Sequence, residues 1–202
     1  MRGLLFAALA AGAVSACSGT KLSQFKDAEP KLDLYQYFQG ESVAYGIFED
    51  RFGKIRRQFR VDITGSVDDG GTLVLDERFQ YADGETDRRV WRINRAGPDR
   101  YRGEAGDIIG TAQGRVVGNA LNWSYRMDLK VGDGTWRVGF DDWMLLQDDK
   151  VLINKATVTR FGLEIGRLFI TFRKTGDTAD DAMAEAGPRS PGTPSPNGRR
   201  AD

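Results

Sequence analysis

The chain has 202 residues, with 29 basic and 29 acidic side chains, one Cys and no His. Balanced charge offers no electrostatic footprint for nucleic acid. The absence of His excludes His-based triads, His-ligated zinc and the usual near-neutral general base, yet 40% of residues are hydrophobic, enough for one globular core.

The N-terminus reads as an export signal. Arg2 is followed by an apolar run from Leu4 to Val14 and then by the small residues Ser15 and Ala16. That run is about 11 residues, short of the roughly 20 that a transmembrane helix needs. Val14-Ser15-Ala16-Cys17 looks like a bacterial lipobox, so residues 1–16 are expected to be a lipoprotein signal peptide and Cys17 the acylated first residue of the mature chain. Acyl chains contribute roughly 0.8 kcal/mol per buried CH₂, so several together anchor firmly. Ser18, not Asp, follows Cys17, which by resemblance to Gram-negative sorting favours the periplasmic face of the outer membrane. With Cys17 acylated, neither a disulfide nor thiolate chemistry remains.

Residues 17–30 read as the lipidated Cys and a flexible polar tether. Residues 176–202 contain Ser-Pro-Gly-Thr-Pro-Ser-Pro-Asn-Gly and almost no apolar residue beyond Ala and Met183, and read as a disordered tail. Between them, residues 31–175 form one domain of ordinary size, roughly 145 residues.

Within the domain, Leu32 to Phe38 is the one plausible short helix, and after Gly40 the hydrophobic period is close to two. Phe59, Val61 and Ile63 alternate with Arg60 and Asp62, and Leu73, Leu75, Phe79 and Tyr81 with Asp76, Arg78 and Gln80. Asp83-Gly84 marks a hairpin into Thr86 to Arg95. Leu121, Trp123, Tyr125, Met127, Leu129 and Val131 make a long apolar face, and Gly132-Asp133-Gly134 turns the chain into Trp136, Val138, Phe140, Met144 and Leu146. Further strands run from Val151 to Thr159 and from Leu163 to Lys174. With Glu41 to Glu49, Arg100 to Ala105 and Gly110 to Val117, nine or ten strands follow in hairpin order. Many consecutive antiparallel strands must hide their edges. The expected fold is therefore all-β: a single antiparallel up-and-down, lipocalin-like barrel with a short N-terminal helix. An outer-membrane barrel is disfavoured by the lipobox and by Glu77 and Asp142 on the apolar face.

The domain resembles a family of bacterial lipoproteins known as the domain of unknown function 3833. The resemblance rests on Gly46-Ile47-Phe48-Glu49-Asp50-Arg51-Phe52-Gly53, Glu77-Arg78-Phe79-Gln80-Tyr81-Ala82-Asp83-Gly84 and Arg89-Val90-Trp91. It continues through Tyr101 to Gly110, Gly118-Asn119-Ala120, Trp123-Ser124-Tyr125, Asp141-Asp142-Trp143-Met144, Asn154 and Arg160-Phe161-Gly162. It implies a calycin-like barrel with no established reaction. Phe38-Gln39-Gly40 is also similar to the opening of lipocalins, with Ser42 where those proteins carry Trp.

If the apolar faces point inward, they carry Arg57, Glu77, Arg89, Asp142 and Asn154 with them. Buried charge is costly unless paired, so these groups should meet one another or a ligand. Such a cluster either orients the head group of an apolar ligand or closes into a salt-bridge network that fixes register; a bulge could also rotate Asp142 outward. The candidate cavity aromatics are Trp91, Trp123, Tyr125, Trp136 and Trp143. The acid and glycines of Tyr101 to Asp107 complete no phosphate-binding fingerprint. Asp141-Asp142 and Asp148-Asp149 fit no cation-binding loop, so neither a metal nor a cofactor is expected.

Three functions remain open. The first is a lipid-anchored binding module for an apolar or fatty acyl ligand, with the anchor holding the cavity near lipid. The second is an enzyme acting on membrane lipid or modified acyl chains through Glu77 or Asp142. The third is a structural envelope protein with a protein partner.

Overall fold

The computed structural model describes residues 19–175; the expected signal peptide, Cys17 and the expected C-terminal tail lie outside these residues. A five-residue helix, α1 (Leu34–Phe38), precedes ten strands. These are β1 (Gly40–Asp50), β2 (Ile55–Val67), β3 (Leu73–Tyr81), β4 (Thr86–Arg95) and β5 (Arg100–Glu104), then β6 (Ala112–Val117), β7 (Ala120–Val131), β8 (Gly134–Leu146), β9 (Val151–Arg160) and β10 (Leu163–Lys174). Each strand pairs antiparallel with the next. β10 returns to β1 in a register running from Ser42 opposite Lys174 to Asp50 opposite Gly166. The result is the closed up-and-down barrel that the alternation predicts, and closure leaves no free edge among these strands.

Alternation decides what lies inside. On β2, Val61 and Ile63 are buried; on β8, Val138, Phe140, Asp142 and Leu146 are buried in one phase. Small residues make room for large ones. A Cβ at Gly114 would lie 2.1 Å from the Trp123 ring, and one at Gly103 2.7 Å from it, so the short strands β5 and β6 curve closely around that indole.

α1 plugs one end. Asp33 caps it, accepting from the backbone N–H groups of Tyr35 and Gln36, and Arg95 grips the same carboxylate at 2.7 Å. Leu34, Tyr37 and Phe38 are buried, with Phe38 edge-on to Phe172 at 5.6 Å. The Tyr37 hydroxyl donates to the Lys150 carbonyl, the Tyr35 hydroxyl to that of Ile93, and the Lys174 ammonium to those of Gln36 and Gln39. Gly65 admits this close seat, since a Cβ there would fall 1.7 Å from the Phe38 carbonyl oxygen.

In the stretch expected as a flexible tether, Leu22–Phe25 forms a 3-10 turn docked beside the same end. The Phe25 ring lies 6.3 Å from Trp143, and its carbonyl is so near Gly118 that a Cβ there would approach to 1.8 Å. Four residues are too few to show a hydrophobic period.

Among the described residues, nothing plugs the opposite end. Its hairpin tips carry Phe52, 80% exposed, and Phe161, 89% exposed. Phe161 adopts φ 53° ahead of Gly162 at φ 79° in the two-residue turn between Arg160 and Leu163. A non-glycine residue is rare in that left-handed conformation, which costs roughly 1–2 kcal/mol.

Candidate functional site: the barrel interior

Between the plug and the open rim lies a cavity of about 450 Å³, within the roughly 300–1,000 Å³ range of small-ligand sites. Its walls are mainly apolar, with Phe38, Trp91, Trp123, Phe140, Met144 and Phe172 among them. Trp91 meets Trp123 edge-on at 5.9 Å and Tyr125 at 5.5 Å, while Tyr125 stacks parallel on Phe140 at 4.9 Å. Three of the five expected cavity aromatics therefore line it.

The other two do not line the cavity. Trp143 follows Asp142, so the pleat turns it to the outer wall, where Phe25 covers it. Trp136 has the inward phase but sits at the rim, beneath the Arg160 guanidinium at 4.0 Å and packed on the cluster of Met127, Val138 and Phe140.

Glu77, Arg89, Asp142 and Asn154 all line the cavity. Arg89 on β4 stands opposite Glu77 on β3, with Nη1 3.9 Å from Glu77 Oε2. Its stronger partner is Asp107, held through Nε at 3.0 Å and Nη2 at 2.7 Å. Asp107 comes from the connection between β5 and β6, which docks on β7 where Ile108 bridges Met127. Burial pushes the Glu77 carboxyl up to about 7, with Arg89 opposing and Asp107 adding to the rise. Burial likewise pushes Asp142 up to about 7, against a hydrogen bond from Tyr125 and with repulsion from Asp141. Burial alone would lower the Arg89 pKa, but Glu77 and Asp107 outweigh it and keep the guanidinium charged.

Asp142 and Asn154 are 3% and 2% exposed, and one oxygen of each, Oδ1, has no hydrogen-bond partner. Arg57 lies apart from this group. It lines the mouth, stacked 3.7 Å over Tyr81 and paired with Asp83 and Glu85. β2 begins at the mouth, so the inward phase of a residue at its start leads to the rim and not the interior.

Asp107 and Lys130 are the polar lining or supporting groups that the strand pattern passed over. Asp107 comes from a connection without periodicity, and Lys130 alternates outward yet reaches the cavity where the β7–β8 hairpin curls over the mouth. Among the described residues, no group of acidic, Cys or His side chains could hold a metal, and no helix is long and apolar enough to cross a membrane. A larger depression, about 610 Å³, lies on the outer wall beside Tyr45, Ile153 and Phe169. It is an open surface groove lined by none of Glu77, Arg89, Asp142 or Asn154, so the interior is the better candidate site.

A ten-stranded antiparallel barrel, plugged at one end around an apolar cavity, belongs to the lipocalin-like class of folds. The chain is a member of the family described as protein of unknown function DUF3833, whose profile matches residues 11–174. No curated protein matches its sequence. Among solved structures, it resembles a DUF3598-family protein of unknown function from Nostoc punctiforme, with 12% identity and a TM-score of 0.54. That match covers 73% of this chain and 51% of the other, so this chain spans about half that protein's length. It also resembles the S-type phycobiliprotein lyase from Guillardia theta, at 7% identity and a TM-score of 0.53, covering 71% and 92% of the two chains. At such identities the likeness shows the fold alone.

Proposed function

We propose that the protein is a binding barrel for an apolar small molecule of acyl type, anchored through Cys17 to the periplasmic face of the outer membrane. One observation carries the reading: a 450 Å³ apolar cavity, walled by stacked aromatics, sealed at one end and open at the other. A filled barrel would have argued for scaffolding. A protein of this fold is named a phycobiliprotein lyase, so the fold is compatible with a role beyond scaffolding, and it names no ligand here. The test is to purify the protein from its own membrane, extract it and identify bound molecules by mass spectrometry, with Trp fluorescence titration of fatty acids alongside. Co-purified lipid and saturable quenching are expected; absence of both overturns the reading. Intact mass reports acylation of Cys17, and Cys17→Ser should release the protein from the membrane.

A second reading, catalysis on the bound molecule, is favoured by the elevated pKa of Glu77 and Asp142, near 7 for both. Carboxyls that titrate there suit general acid–base work. Glu77→Gln and Asp142→Asn together should abolish any turnover while leaving binding intact; unchanged turnover removes both from catalysis.

A further inference from the structure

The polar groups of the cavity are uneven in what they still offer. Arg89, the cation in the middle of the barrel, is occupied by Asp107. The acceptors are not all occupied: the Asp142 and Asn154 Oδ1 atoms, on adjacent strands β8 and β9, have no partner. Both side chains line the cavity and are at least nine-tenths buried. A buried acceptor left unpaired is destabilising, so the site gains by receiving a donor. Around them the wall is Trp123, Met144 and Ala156, a surface for hydrocarbon.

We propose that Asp142 and Asn154 form a subsite that accepts hydrogen bonds from a hydroxyl or N–H group carried partway along an otherwise apolar chain. The inference rests on the cavity being the ligand site and narrows what occupies it. A carboxylate at this depth would add a third buried acid beside Asp142 and Glu77, far from the solvent that stabilises its charge. An acidic end belongs instead at the mouth, where Lys130 lines the cavity and makes no salt bridge among the described residues. Lys130 stands opposite Thr135 and Trp123 opposite Asp142, so the subsite lies seven residues deeper along β8. At about 3.3 Å per residue and a strand tilt near 40°, that is about 18 Å along the axis. A hydroxyl about a dozen carbons from a carboxylate reaches this depth.

The test compares 12-hydroxyoctadecanoic acid with octadecanoic acid on the full chain stripped of co-purified lipid, following Trp fluorescence. The hydroxy acid should bind at least ten-fold tighter. Asp142→Leu and Asn154→Leu should each bring the two acids within two-fold, whereas Asp142→Asn, which keeps an acceptor oxygen, should retain the preference. Circular dichroism identifies a variant that fails to fold, and Asn154→Leu carries the test if Asp142→Leu does. Equal binding of both acids to the unaltered protein, or a preference that survives Asn154→Leu, overturns the subsite while leaving the cavity reading in place. Binding of neither acid overturns the cavity reading and the subsite with it.

Discussion

The two ends of this barrel are made from the same hairpin meander and differ because one short helix precedes β1. At the plugged end, α1 is joined to the β2–β3 turn, β4, the β8–β9 turn and β10 by hydrogen bonds from Tyr35, Tyr37 and Lys174 and by the Arg95–Asp33 pair. At the open end, the tips of β1–β2 and β9–β10 project Phe52 and Phe161 into solvent. Stability concentrates where backbone and aromatic rings interlock; access is left where the hairpins simply turn. Five residues of helix thus give a symmetric topology a direction.

Mutations should separate the two ends. The largest loss is expected at the plug: Phe38→Ala removes a ring with 4% exposure that packs on Phe172 and should cost about 3–5 kcal/mol in urea denaturation. A loss under about 1 kcal/mol would mean that the plug is not part of the cooperative core. Gly65→Ala should come next. Its methyl would overlap the Phe38 carbonyl, and overpacking of this kind costs about 1–3 kcal/mol; faster exchange of fluorescent apolar probes should accompany it as α1 lifts.

The interior should respond to pH. Glu77 and Asp142 have folded-state values raised to about 7, so between about pH 4 and pH 7 the folded chain binds more protons than the unfolded one. These groups therefore make stability fall as pH rises through that window, and the loss is complete above it. Asp142→Asn should flatten the fall and leave the protein relatively more stable at pH 8, as read by thermal melts across pH. A slope identical to wild type would show that Asp142 does not titrate there. The smallest effect belongs to the open end: Phe161→Gly relieves a left-handed residue exposed to solvent and should raise stability by no more than about 1 kcal/mol.

Much of this arrangement was legible because the pleat has a period of two. The strands, the Asp83-Gly84 hairpin and the inward course of Glu77, Arg89, Asp142 and Asn154 all follow from alternation alone. The same rule turns Trp143 outward, one residue out of phase with the inward Asp142, whatever its aromatic character. Arg57 shows the rule's limit, since phase says which way a side chain points but not how deep its position lies. Asp107 was hidden for a different reason: it reaches Arg89 from a connection, and nothing in local pattern foretells where a connection docks. The plug itself was visible as a helix but not as a plug, because its seat depends on the absence of a side chain at Gly65, in a strand distant in sequence.

The docked turn at Leu22–Phe25 bears on how the barrel would stand on a membrane. Leu22 follows Cys17 by only five positions, a leash of at most about 18 Å. Because that turn is fastened beside the plug, an acylated Cys17 would set the barrel upright on its sealed base, with the mouth turned away from the leaflet that holds it. Cargo would then be exchanged with whatever approaches from the aqueous compartment, as in a cup standing on a shelf and filled from above, and not drawn directly from the lipid underneath.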